Sequence, residues 1–144
     1  MFKALLKSLS TRSCLACSWA IRGDLALREG RLDSAYRFFE KAIRASPNAE
    51  AWRRMGVLMG ICGQYPEAIK CLGKAVSLGD GEARRLMGYN LFRLRRYEEA
   101  LACFEGLIQT TPEDGLAWYW RGLTLMETGR RAEAEESLNR SCRD

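Results

Sequence analysis

The sequence predicts an all-α fold assembled from repeated helical hairpins, and three observations carry that prediction. Glycines at 23, 56, 88 and 122 are separated by 33, 32 and 34 residues, and the same differences separate Ala35, Ala68, Ala100 and Ala134. Phe39, Leu72, Phe104 and Leu138 keep the step, as do Trp19, Trp52, Arg84 and Trp118. Between these marks the apolar residues fall at helical spacing: Trp52, Met55, Gly56 and Met59 form an i, i+3, i+4, i+7 row with Arg53 and Arg54 beside it. Turn chemistry recurs in register at Gly30-Arg-Leu-Asp-Ser-Ala35, Gly63-Gln-Tyr-Pro-Glu-Ala68, Arg95-Arg-Tyr-Glu-Glu-Ala100 and Gly129-Arg-Arg-Ala-Glu-Ala134. A glycine that ends one helix, followed by a residue such as Pro66 that starts another, makes a tight antiparallel pair. Two short helices bury too little surface alone, so each hairpin requires neighbours.

Taken in order, residues 1–15 form a lead and residues 16–144 form the repeat domain, divided at about 16–48, 49–80, 81–114 and 115–144. In the lead, Phe2, Leu5, Leu6 and Leu9 make a short amphipathic row flanked by Lys3 and Lys7. It is expected to cap the first hairpin, because terminal faces of a stack need cover. An organelle transit peptide is the alternative, since the segment is basic, serine-containing and free of acids. Within each repeat the glycine and the alanine let two helices approach closely, while tryptophan fills the space above that contact. Arg22 and Arg121 stand just before their glycines, with packed stems and heads expected in solvent. Glu135, Glu136 and Asn139 give the last helix a polar outer face, and self-association through terminal repeats stays open.

These marks resemble the tetratricopeptide repeat, whose Trp, Gly, Ala, aromatic and Pro positions recur over about 34 residues. Trp19, Gly23, Ala35, Phe39, Ala42 and Pro47 carry the resemblance in the first repeat, and Trp52, Gly56, Ala68, Leu72 and Ala75 in the second. Gly88, Ala100, Phe104 and Pro112 carry it in the third, and Trp118, Gly122, Ala134 and Leu138 in the fourth. Arg84 departs from the tryptophan, Arg95 from the turn glycine, and Asp80 from the closing proline. The resemblance implies a right-handed α-α superhelix, or solenoid, of four helix-turn-helix repeats whose concave side is lined by first helices.

Composition narrows the function. The net charge is +5, but Lys3, Lys7 and Arg12 supply three of those charges and no acid precedes Asp24, so the repeats are nearly neutral. There is no histidine, no Gly-x-Gly-x-x-Gly and no Gly-x-x-x-x-Gly-Lys, which removes the usual acid–base and phosphate-cradling arrangements. No enzyme activity, cofactor or metal is expected. Of the six cysteines only Cys14 and Cys17 are spaced as ligands, and no second pair accompanies them. Reduced thiols in a soluble cytoplasmic protein are the simplest account, with organelle targeting as the alternative if residues 1–15 belong to a transit peptide. No stretch approaches the ~20 apolar residues of a membrane span.

On the concave positions that the resemblance implies, the second to fourth repeats place Arg53, Arg54, Val57, Arg85, Tyr89, Phe92, Arg93, Tyr119, Trp120 and Leu123. Such a lining suits a peptide or helical segment of a protein partner that carries hydrophobic anchors and some acidic residues. The chain is thereby read as a non-catalytic interaction module, an adaptor, scaffold or co-chaperone-like protein. Nucleic-acid binding through the arginines and a self-assembling scaffold are the alternatives. Glu50 and Glu82 lie within one helical turn of Arg54 and Arg85, so these arginines also have partners within their own helices. The clamp by which some family members grip a chaperone's terminal carboxylate is absent, because Ala20, Asp24, Arg54, Glu82 and Leu86 stand at its positions.

Overall fold

Four near-identical turns set the hairpins. Each first helix ends on a residue in the left-handed region: Gly30 at φ 73°, Gly63 at 75°, Arg95 at 60° and Gly129 at 79°. The amides beyond the turn reach back to carbonyls left over at the helix end, so that Arg31, Gln64, Arg96 and Arg130 donate to Ala26, Met59, Leu91 and Leu125 at 2.8 to 3.0 Å. Arg95 adopts this conformation with a Cβ that opposes it. Arg95→Gly is therefore expected to stabilise the protein by about 0.5–1 kcal/mol, read as a higher urea midpoint at unchanged slope.

The computed structural model describes residues 1–143, apart from the side chains of residues 6, 8, 9 and 10. Eight helices are present among the described residues, and no strand: α1 (Phe2–Arg28), α2 (Leu32–Ala45), α3 (Ala49–Ile61), α4 (Tyr65–Ser77), α5 (Gly81–Arg93), α6 (Tyr97–Thr110), α7 (Gly115–Glu127) and α8 (Arg131–Ser141). The fold class is thus the expected all-α array of helical hairpins. The chain forms two compact units, Met1–Gly79 with α1 to α4 and Asp80–Asp144 with α5 to α8.

In the first unit α1 packs on α2, α3 on α4, and α2 on α3. Its core gathers Ala26, Ala35, Phe39, Met55, Leu58, Met59 and Ala68. In the second unit α5 packs on α6, α6 on α7, and α7 on α8, with Leu101, Leu125 and Ala134 forming a buried cluster. The first helices α3, α5 and α7 are capped by side chains: Asn48, Asp80 and Asp114 accept from the amides of Ala51, Ala83 and Ala117 at 2.8, 3.0 and 3.1 Å. Asp80 is therefore a helix cap, and Gly79, at φ 93°, makes the turn ahead of it.

Three expectations are revised. The lead is not a separate short helix, because α1 runs without a break from Phe2 to Arg28. It does not fold back as a cap either, since every described side chain before Ala16 is exposed; Leu6 and Leu9 lie outside the described side chains. The head of Arg121 is not in solvent. Its side chain is 17% exposed, with Nη1 donating to Ser137 Oγ at 2.5 Å and Nε to Glu105 Oε1 at 3.3 Å. The first of these bonds is accepted by a fully buried hydroxyl, which itself donates to the Glu133 carbonyl at 3.0 Å.

The tryptophans are only half-buried, and cations cover their outer faces. Lys41 Nζ lies 4.5 Å from the Trp19 ring centre, Lys74 Nζ 4.0 Å from that of Trp52, and the Arg140 guanidinium 4.7 Å from that of Trp118. The third repeat lacks both partners at once. Arg84 replaces the tryptophan and Gly106 the cation, and a Cβ on Gly106 would lie 3.0 Å from Arg84 Nη1. The guanidinium has moved into the space that the missing side chain would fill.

Candidate functional site

The expected lining residues fall on the first helices of both units, and each unit presents its own face. In the first, Ala16, Cys17, Ala20 and Ile21 of α1 meet Glu50 and Arg54 of α3 around an open cleft of about 220 Å³. Ile21 keeps 59% of its surface exposed, so the cleft offers apolar contact to a ligand. Arg54 stands at its edge with a side chain only 26% exposed; one Nη donates to Asp24 and the other to Glu50 Oε1 at 2.5 Å. Two carboxylates thus neutralise this guanidinium within the chain. Arg53 and Val57 are half-buried on the same helix.

The second unit gathers aromatic rings. Tyr89 and Phe92 of α5 meet Trp120 of α7 edge-on, with ring centres 5.0 and 5.7 Å apart, and Tyr119 meets Trp120 at 5.6 Å. Those distances and the steep interplanar angles are the arrangement that aromatic quadrupoles favour. Tyr89, Phe92 and Trp120 are half-buried while Tyr119 is 42% exposed, so the cluster is a firm platform with open ring surface. Leu123 is half-buried on the same helix, and Arg93 is exposed at the end of α5. Tyr97 of α6 supports Phe92 from behind at 5.6 Å, a contribution that the concave register does not include.

Arg85 faces Asp114 at 3.5 Å and Glu82 at 3.8 Å. Asp114 is also the cap of α7, so Arg85 braces the start of that helix. The arginine contacts that the sequence assigns to a ligand are, at Arg54 and Arg85, taken by carboxylates of the same chain. This weighs against nucleic-acid binding, which needs cations directed at phosphates.

The cysteines are free thiols among the described residues, four exposed and two half-buried. Burial pushes the Cys71 and Cys103 thiols above their ordinary range, and in Cys103 it outweighs the nearby Arg84. They are packing groups, not activated nucleophiles. No cluster of three or more metal-ligating side chains occurs among the described residues, and no described helix is long and apolar enough to cross a membrane.

Comparison with known proteins agrees with this architecture. The peroxisomal targeting signal receptor of Pichia angusta is 24% identical over 95 residues, covering 66% of the chain but 16% of that protein, so the chain spans about a sixth of its relative. Among solved structures, MamA superposes at a TM-score of 0.81 with 20% identity over 88% of this chain and 75% of that one. YrrB, described as a TPR protein with an unusual peptide-binding site, superposes at 0.77 with 26% identity over 97% and 77%. Pseudomonas aeruginosa pilF superposes at 0.83 with 22% identity over 92% and 62%. Family models of the tetratricopeptide repeat match residues 18–48 and 85–144. With its glycine, alanine and aromatic marks seated in four antiparallel hairpins, the chain belongs to the tetratricopeptide repeat family.

Proposed function

We propose that the chain is a protein-interaction module that holds a peptide or helical segment of a partner against the faces of its first helices. Aromatic and aliphatic contacts supply most of the affinity, in an adaptor, scaffold or co-chaperone-like role. The observation that carries this reading is the ring platform of Tyr89, Phe92 and Trp120 with Tyr119 exposed beside it, because preset aromatic surface loses little entropy on binding and hot spots concentrate on such residues. The peptide-binding description of YrrB and the receptor role named for the peroxisomal relative support the same class of ligand. Because Arg54 and Arg85 are already paired, acidic anchors on the partner are secondary to apolar ones.

The test uses peptides selected by display on the intact protein, followed by calorimetric titration. Tyr119→Ala and Trp120→Ala are expected to weaken binding at least about tenfold, with a shallow dependence on salt. Unchanged affinity in both variants, with helix content preserved, overturns the platform as the binding surface. Affinity that collapses steeply as salt rises, with binding to single-stranded RNA, replaces the reading with the nucleic-acid one.

A further inference from the structure

Helix α1 is 27 residues long, whereas its hairpin partner α2 has 14. Antiparallel helices pair over equal lengths, so at 1.5 Å per residue about 20 Å of α1 projects beyond the hairpin. Burial marks the same division: Ala16 is the first buried residue among those described, and every described side chain before it is exposed. Phe2 and Leu5, 74% and 58% exposed, fall one turn apart on one side of the projection, and Leu6 and Leu9 continue that row in sequence register. Lys3 and Lys7, also one turn apart, occupy another side, while Arg12, three residues after Leu9, ends the apolar row. No carboxylate occurs before Asp24. The segment prolongs a helix whose other half is packed in the hairpin, and an exposed apolar row on it calls for an apolar phase.

We infer that this projecting part of α1 is an interfacial helix that lies on an anionic lipid surface, its apolar row in the acyl boundary and its lysines at the headgroups. Charge selects this occupant. Two such segments from separate copies would bring like charges together, whereas an anionic bilayer offers diffuse negative charge and an apolar layer at the same depth. No described helix is long and apolar enough to span, so the segment lies in the plane of the surface. The inference stands apart from the first-helix faces of the proposed function, since residues Phe2 to Leu15 line neither.

The experiment is co-sedimentation of the full chain with phosphatidylcholine vesicles, either pure or containing a minority of phosphatidylglycerol, at low and high salt. Partitioning onto the anionic vesicles is expected to exceed that onto neutral ones at least about tenfold and to fall as salt rises. A Lys3→Glu/Lys7→Glu variant is expected to lose at least about tenfold in partitioning, and Phe2→Ser/Leu5→Ser to lose it with the charge kept. Both variants change only exposed positions, and circular dichroism verifies that the hairpins remain folded. No sedimentation, equal sedimentation with both vesicle types, or wild-type behaviour of the lysine variant overturns the inference. So does a concentration-dependent dimer in sedimentation velocity that Phe2→Ser/Leu5→Ser abolishes, which assigns the segment to a second copy instead.

Discussion

Replacing Phe104 with alanine is expected to destabilise the second unit by about 3–5 kcal/mol, toward the upper end of what a buried aromatic truncation costs. Phe104 is fully buried on α6, and its ring occupies the space that a side chain on Gly88 would need: a Cβ there would come within 2.7 Å of Cε1. Because Gly88 has no side chain to move inward, the void left by the ring cannot be filled from α5. Cavity cost therefore adds to the lost transfer free energy. Fluorescence-detected urea unfolding, in which Trp118 and Trp120 report on the second unit, measures the loss. At about 4–8 °C per kcal/mol for a unit of this size, the corresponding fall in Tm is well above 10 °C. A loss below about 1 kcal/mol would show that the hairpin collapses around the gap and that the ring and glycine are not co-adapted.

The legible parts of this fold are those fixed by sterics within one hairpin. Gly23, Gly56, Gly88 and Gly122 recur because Phe39, Leu72, Phe104 and Leu138 press against them, a constraint that acts wherever the hairpin sits. The turns are legible for the same reason, and Arg95 shows that hydrogen bonds beyond the turn hold the conformation even where the residue resists it. Pairings across repeats were harder to read. Glu50 and Glu82 announce themselves as helical neighbours of Arg54 and Arg85, whereas Asp24 and Asp114 come from other helices and become partners only once the hairpins pack. The exchange of Trp and Lys for Arg84 and Gly106 is invisible position by position, because each residue looks like an isolated departure. The continuity of α1 did leave a signal: no glycine or proline stands between Phe2 and Gly23, so nothing local separates the lead from the first repeat. At the candidate site, the aromatic positions followed from register, but their edge-on contacts depend on ring orientations that spacing does not encode.

Gly56→Leu and Gly73→Ala separate the two uses of glycine in adjacent helices, and their effects are expected to have opposite sign. A Cβ on Gly56 would lie 2.6 Å from Leu72 Cγ, 2.8 Å from Leu72 Cδ2 and 3.4 Å from the Ala68 carbonyl. Leu72 and Ala68 are fully buried, so neither the side chain nor the backbone has room to withdraw. A leucine there forces α3 and α4 apart and also disturbs the core that Met55, Leu58 and Met59 share with Phe39. The expected cost is about 3 kcal/mol, the upper part of the usual range for overpacking, despite better helix propensity. Gly73 sits within α4 with nothing within 4 Å of its added Cβ. Alanine there meets no obstacle and restricts the unfolded chain, which is expected to stabilise the protein by about 0.5–1 kcal/mol. Urea midpoints of the two variants against the wild type decide the matter. Comparable small losses in both would mean that the hairpin relaxes around the leucine, and that close helix approach at Gly56 does not hold it together.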